Sequence, residues 1–375
     1  MRIVHFSDTH LGFRQLHRVN DAGRNQREQD VYDAFERAID TIIELAPAVA
    51  IHSGDLFDSY HPSSAALTVA LDGLRRLREA GIPVVVVAGN HSSPRVAATA
   101  HVFGVLERFG GAHMVYGGPR EVRVGEVAVH AIPHDNDPHR LAAALRAARP
   151  SADAGFNVLI AHVGLDGLGK VVGAEAGSVT VSGEVLAGTG DFDYIALGHL
   201  HKFAPACANA AYAGSLERLS WADDAPVKGI AEVDLAAGRR SPHYLELHPV
   251  EGRRFVTLEP VDAATVSNLS DAIIARADGT DLAAAMVRLS VRNVSVADWN
   301  AVDHKAIAEA YAAGLHFERE PQLIGAMPTS AAAAAPGLRD FLLGWAGEHA
   351  PGLDPDNFVA RAEAFIALAD QELAA

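Results

Sequence analysis

The sequence has 375 residues, a net charge of −16 and one cysteine, Cys207. The length exceeds what one compact core usually accommodates, so a large domain with smaller units is expected. The lone cysteine excludes an internal disulfide framework and a Cys-rich zinc site, and the acidic balance argues against coating of nucleic acid by a basic surface. Cys207 itself reads as a buried small hydrophobe. No apolar run is long enough to span a bilayer. The opening residues 2–7 read as a strand rather than a signal peptide, and the expected compartment is the cytoplasm.

In chain order, residues 2–7 give a first strand and residues 27–45 a helix with Val31, Ala34, Phe35, Ala38, Ile39 and Ile42 at helical spacing. Between them, residues 14–27 carry Arg14, His17, Arg18, Arg24 and Arg27 against one acid, Asp21. By itself this stretch reads as a solvated polar loop. A strand over 48–53, a helix over 64–80, a buried strand over 83–88 and a helix over 94–109 follow. Shorter strands broken by glycine fill 115–132, and further strands are expected over 156–161, 193–197, 206–213 and 229–235. Alternation of strands and amphipathic stretches is the pattern of an α/β domain, ending near Glu251. Residues 252–325 look like a small α+β unit, with helices over 269–277 and 303–313 and a strand over 286–291. Residues 326–337 are linker-like. Two helices within 338–375 present Leu338, Phe341, Leu342 and Trp345, then Phe358, Ala362, Phe365 and Ile366. Such a hairpin either docks on its own domain or binds a partner groove.

Five short segments place metal-binding side chains at the carboxyl ends of expected strands, where α/β sheets form ligand sites. They contain Asp8 and His10; Asp55 and Asp58, after Gly54; Asn90 and His91, after Gly89; His162; and His199 and His201, after Gly198. Asp8 and His10 lie two apart, so an extended backbone points both the same way, and His199 and His201 repeat that spacing. Adjacent Asn90 and His91 diverge, which suits one to a metal and the other to substrate. A lone Asp-x-His pair is usually a capped loop, and 19 histidines guarantee some near strand ends. All five segments together point to a metal centre. Carboxylate, amide and imidazole ligands without thiolate suit manganese, iron or zinc. Two ions sharing Asp55 would stand roughly 3.5–4 Å apart, the arrangement for in-line displacement at phosphorus. His5, His52 and His130, inside strands, read as structural. Gly164 to Lys170 imitates a phosphate-binding loop, but Val171 lacks the hydroxyl for magnesium and no helix follows.

These segments resemble the motifs of calcineurin-like metallophosphoesterases, and more narrowly those of SbcD nucleases and the related meiotic-recombination-eleven nuclease. The stretch Gly214 to Ser220, then Lys228-Gly229, is similar to the end of that family's catalytic domain. The resemblance implies a four-layer α/β/β/α sandwich over residues 1–251, a DNA-capping domain over 252–325 and a hairpin over 338–375 that binds an SbcC-like coiled-coil ATPase. It implies two divalent ions, manganese by preference. Asp8, His10, Asp55 and His201 would hold one; Asp55, Asn90, His162 and His199 would hold the other. His91 would contact the scissile phosphate and protonate the leaving oxygen. Arg14, His17 and Arg18, with Arg95 and Arg218, become candidates for DNA contact. A homodimer is the family's common form. Where relatives carry an acid after the Asn-His pair, this chain has Ser92, which brings no charge to His91.

The implied function is hydrolysis of DNA ends in double-strand-break repair. Two other readings stand beside it: a phosphodiesterase or phosphomonoesterase acting on a small substrate, and a weakly catalytic or non-catalytic DNA-end scaffold for the ATPase.

Overall fold

The computed structural model describes residues 1–93, 101–166, 179–223, 227–241 and 243–324. The expected linker and terminal hairpin, Arg95 with the first residues of the expected helix from 94, and most of the glycine-rich stretch after Gly164 lie outside the described residues. The chain divides into a unit of Met1–Val256 with Ala283–Met286, and a second of Thr257–Leu282 with Val287–Ala375.

The first unit runs β1 (Arg2–Phe6), α1 (Gln26–Leu45), β2 (Ala50–His52), α2 (Ser64–Glu79), β3 (Val84–Val87), α3 (Phe103–Phe109), β4 (His113–Val115), β5 (Arg120–Val124), β6 (Val127–Ile132), α4 (Pro138–Ala147), β7 (Phe156–His162), β8 (Gly164–Asp166), β9 (Thr180–Ser182), β10 (Tyr194–Gly198), β11 (Ala204–Cys207), β12 (Ala210–Tyr212), β13 (Gly229–Asp234) and β14 (Leu245–Pro249). These strands form two six-stranded sheets, in the orders β14-β13-β1-β2-β3-β4 and β11-β12-β10-β7-β6-β5. In each, the central strands are parallel and the outer hairpins antiparallel.

Strand alternation builds the layers. Val4, Phe6, Ala50, Val84 and Val86 face α1, α2 and α3, with Phe35, Ile39, Leu74 and Leu106 among their neighbours. Their chain neighbours Ile3, Ile51, Val85 and Val87 face the other way and pack on Val129, Val158, Ile160, Tyr194 and Ala196 of the second sheet. The far side of that sheet gives Leu159, Ala161, Ile195 and Leu197 to a third core with Leu141 and Leu145 of α4. Helix, sheet, sheet and helix therefore stack as four layers, as the sequence led us to expect.

Local sequence sets the element ends. Asn25 caps α1, its side chain accepting from the amides of Arg27 and Glu28, and Ser63 does the same for α2 through Ala66. The helix α4 is absent from the sequence expectation, although Asp137-Pro138 opens it with an N-cap and a proline in the first turn. The strand expected over 206–213 is instead the hairpin of β11 and β12. Cys207, expected to be buried, is exposed, because β11 is the edge strand and Cys207 ends it.

After β14 come β15 (Phe255–Thr257), β16 (Val261–Asp262), α5 (Leu269–Ile274), β17 (Met286–Val294), α6 (Val296–Ala301), α7 (His304–Ala310) and β18 (His316–Leu323), most of them in the second unit. Its sheet centres on β17, with β16 parallel on one side and β18 also paired to it. Tyr311 stacks on Phe317 and donates its hydroxyl to the Ile273 carbonyl, which ties α5 to the sheet. No helix among the described residues is long and apolar enough to cross a membrane.

His5, read as structural, ties the two sheets together. Fully buried in β1, it holds the Tyr194 hydroxyl at 2.9 Å through Nδ1 and the Ser53 hydroxyl at 2.8 Å through Nε2. Burial pushes its pKa down to about 3. Between that value and the unfolded value near 6.5, the unfolded chain binds a proton that the folded chain does not. His5 therefore subtracts about 1.4 kcal/mol of stability per pH unit as pH falls through that window. Urea unfolding at pH 7 and pH 5 should show a shallower pH slope for His5→Gln than for the wild type. Parallel slopes would refute the assignment.

Candidate metal centre

The loops after β1 and β2 are zipped together. The amides of Asp8, His10 and Leu11 donate to the carbonyls of Gly54, Asp55 and Leu56 at 3.0, 3.0 and 2.9 Å. This corrects the expectation that Asp8 and His10 share one side of an extended strand. β1 ends at Phe6, and both residues are left-handed, with φ of 50° and 44°. The zipper turns the chain there, and the two side chains converge through the turn rather than through strand alternation. Asp55 and His199 have φ of 52° and 107°. Four of the expected ligands thus sit in backbone conformations that cost roughly 1–3 kcal/mol each. Asp and His tolerate this region better than β-branched residues do.

The converging atoms form three overlapping groups, two of them around Asp8. Ligand atoms of Asp8, His10 and His201 lie within 4.8 Å of one another, and so do those of Asp8, Asp55 and His162. Asp8 accepts the His199 amide at 3.1 Å, and all these residues but the partly buried His201 are buried. Asp55 meets His162 Nε2 at 3.1 Å through Oδ2 and accepts the His91 amide at 2.9 Å through Oδ1. Asn90 Oδ1 lies 2.9 Å from the same His162 nitrogen. His91 has its Nδ1 2.8 Å from the Asp58 carbonyl, and its ring joins His10 and the Asp58 carboxylate in the third group, whose ligand atoms also lie within 4.8 Å of one another.

The donor set fits divalent ions on three observations. His199 Nε2 is buried with no hydrogen-bond partner among the described residues, which is costly unless something else accepts its lone pair. His10 and His201 bring their Nε2 atoms to 3.2 Å, while their Nδ1 atoms face the carboxylates of Asp58 and Asp223 at 3.2 and 3.3 Å. Carboxylates only accept, so each ring carries a hydrogen on Nδ1, and when both rings are neutral two lone pairs confront each other. A cation removes that conflict. Finally, His162 is held at Nδ1 by the Ser53 carbonyl at 2.9 Å, which again leaves Nε2 as the binding nitrogen.

Electrostatics point the same way. Burial lowers the pKa of His162, but the charge and hydrogen bond of Asp55, with Asp8, outweigh it and raise it to about 9. Burial alone would raise Asp55, yet His162 and the other histidines hold it well below the usual carboxylate range. The pocket of carboxylates therefore draws in positive charge, and a proton on His162 serves where an ion would.

Glycines allow this closeness. A Cβ on Gly54, whose φ is +113°, would lie 2.2 Å from His162 Nδ1. One on Gly89 would lie 2.2 Å from Asp55 Oδ1, and one on Gly198 2.2 Å from the Ser53 carbonyl. Gly54→Ala adds a backbone penalty to overpacking, so a loss of about 3 kcal/mol is expected. Denaturant unfolding of the metal-free protein checks this, and a loss below about 1 kcal/mol would contradict the packing argument.

The expected basic loop is less basic than its sequence. Arg14 is bound through two nitrogens to Glu28, at 2.9 and 3.1 Å. Arg24 donates to Gln29 and lies over the Tyr32 ring. Arg27 is fully buried, paired with Asp30 at 2.6 Å and facing Glu217 at 3.5 Å. His17 and Arg18 remain exposed. A cleft of about 750 Å³ lies under this loop, lined by Arg14, Gln15, His17, Arg24 and Asn25 among others, and by none of the metal-site side chains. Arg218 is partly buried, with a nitrogen 3.4 Å from the Arg253 carbonyl. Ser92 is fully buried and its hydroxyl has no hydrogen-bond partner among the described residues, whereas the Asp58 carbonyl helps to orient the His91 ring. The sequence reasoning assigned no part to Asp58, Ser53 or Asp223. The Gly-Asp-x-x-Asp spacing at 54–58 is the signal that could have flagged Asp58.

A family model described as calcineurin-like phosphoesterase matches residues 1–203. Among curated proteins, the chain is 36% identical over 202 residues to the DNA double-strand break repair protein Mre11 of Sulfurisphaera tokodaii, covering 53% of this chain and 49% of that one. It is 33% identical over 230 residues to the Mre11 of Haloferax volcanii, covering 60% and 47%. With the Mre11 of Methanocaldococcus jannaschii it shares 44% identity over 95 residues, a quarter of each chain. The matches span about half the length of these relatives at most.

Proposed function

Since the chain belongs to the calcineurin-like phosphoesterase family, we propose that it is a metal-dependent nuclease that hydrolyses phosphodiester bonds at DNA ends. The observation that carries this reading is the set of three overlapping Asp/His groups at the parallel strand ends. The choice of DNA is supported by the likeness to break-repair proteins.

Two divalent ions, manganese by preference, would supply Lewis-acid stabilisation of the phosphate and a more acidic attacking water. Asp8, His10, Asp55 and His201 are the residues to hold one; Asp55, Asn90, His162 and His199 the other. Asp55 suits the shared position because its two oxygens face different neighbours. His91 is the residue for the leaving group. Its Nδ1 donates to the Asp58 carbonyl, which fixes the ring and places the transferable proton on Nε2. Its ring also stands edge-on to His10, 4.7 Å between centroids, so it borders the metal pocket.

The formal charge of −16 does not oppose this assignment. Screening acts over roughly 8 Å at physiological salt, so the loaded centre and the exposed His17 and Arg18 set the local field. An SbcC-like ATPase as partner and a homodimer complete the reading; their support is the resemblance of the terminal segment and of the family.

The deciding experiment assays the full chain, loaded with manganese, on linear DNA and on aryl phosphate mono- and diesters. Cleavage of DNA and of the diester is expected. Monoester cleavage with inert DNA overturns the nuclease reading.

A further inference from the structure

We propose that Asp223 is a positioning residue that aims His201 at its ion by fixing the tautomer of the ring. The inference rests on the two-metal reading above. Asp223 lies 22 positions beyond His201, and its Oδ1 stands 3.3 Å from His201 Nδ1. Its other oxygen accepts the amides of Leu219 at 2.8 Å and Ser220 at 3.3 Å, and its own amide closes the turn on the Ser220 carbonyl. The carboxylate is therefore held from behind by a backbone turn and presents a single acceptor to the imidazole.

An acceptor there requires the hydrogen on Nδ1 and leaves the lone pair on Nε2, the atom that faces His10 Nε2. The backbone of His201 is fixed as well. Buried Lys228 donates through Nζ to the His201 carbonyl and, at 2.8 Å, to the Ser215 hydroxyl. Ring and main chain are thus anchored by groups from one segment, residues 215–228. The matching contact on His10 comes from Asp58, whose side chain is 32% exposed, against 3% for Asp223. Water competes with the first contact far more than with the second, so His201 depends more on its carboxylate.

Asp223 also has an ordinary structural task, since it closes the 219–223 turn. Asp223→Asn separates the two. The amide oxygen can keep both backbone bonds, which leaves the NH₂ facing His201 Nδ1. That donor requires Nδ1 as acceptor and moves the ring hydrogen to Nε2, where it blocks ligation. A residue that only closes a turn predicts normal metal binding in this variant.

The test titrates manganese into the metal-free full chain by calorimetry, for wild type, Asp223→Asn and Asp223→Ala, with thermal midpoints measured alongside. Asp223→Asn should weaken one of two sites by roughly 10–100-fold and leave the other within about threefold. Its thermal midpoint should stay near that of the wild type. Asp223→Ala should lose no more affinity at that site than Asp223→Asn, while its midpoint falls because the turn is lost. Two sites of wild-type affinity in Asp223→Asn overturn the inference, as does equal weakening of both. Wild-type protein that takes up fewer than two ions overturns the two-metal reading, and the inference with it.

Discussion

Asp55→Asn should leave the protein folded and remove on the order of 10³ or more of its hydrolytic rate, a loss of about 4 kcal/mol or more in transition-state stabilisation. Asn is close to Asp in shape, so the packing around a buried side chain with φ of 52° survives. The charge does not. Asp55 offers one oxygen towards His162, whose Nε2 also meets Asn90, and the other to the His91 amide, so on the shared-ligand reading a single substitution reaches both ion positions and the orientation of the acid. Asp8 would then be the one carboxylate left in the two groups around it. The attraction that raises His162 would also weaken, since Asp55 is its largest favourable partner. Metal content by elemental analysis and kcat/KM on linear DNA measure the two effects together. Full metal occupancy with activity within about tenfold of wild type would sink the shared-ligand role.

The candidate metal ligands stood out in the sequence for a specific reason. Each sits at the end of a strand whose apolar run is short and plain, and the glycines that make room for them are written beside them. Gly54, Gly89 and Gly198 are adjacent to Asp55, Asn90 and His199, and each is where a Cβ would collide with the site. The α/β class was legible from the alternation of strands and amphipathic stretches, the four layers were implied by the family resemblance, and the structure builds them by sending Val4 and Ile3 to different cores. What the sequence hid is long-range pairing. Arg27 reads as part of a basic loop because Asp30 and Glu217, which neutralise it, are brought in by a helix turn and by a loop 190 positions away. Asp223 reads as one surface acid among 47 Asp and Glu until the turn over 219–223 places it against His201. The conformation of Asp8 and His10 was hidden too, because spacing of two fits an extended strand as well as two left-handed residues. Only the zipper between two loops decides it. Cys207 failed differently: residue type gave burial, but position on an edge strand gave exposure.

That division bears on His91, where the sequence raised a doubt and the geometry answers it. The doubt was that Ser92 replaces an acid that could orient the imidazole. The Ser92 hydroxyl is buried without a partner among the described residues, whereas the Asp58 carbonyl accepts from Nδ1 at 2.8 Å. The main chain therefore contributes to the orientation, and the carboxylate of Asp58 is committed to His10. His91→Ala should accordingly cost roughly 10²–10⁴ in the rate of DNA cleavage, the usual worth of a positioned general acid. Manganese binding should be unchanged, because no ligand is touched. The same variant should lose less than about tenfold on a diester with an electron-poor aryl leaving group, whose departure needs little protonation. A ligand role predicts equal losses on both substrates together with lost metal. A purely structural role predicts equal losses together with a lower unfolding midpoint. Only an acid acting on the leaving oxygen gives a loss that scales with the basicity of that oxygen, and a loss independent of the leaving group would refute it.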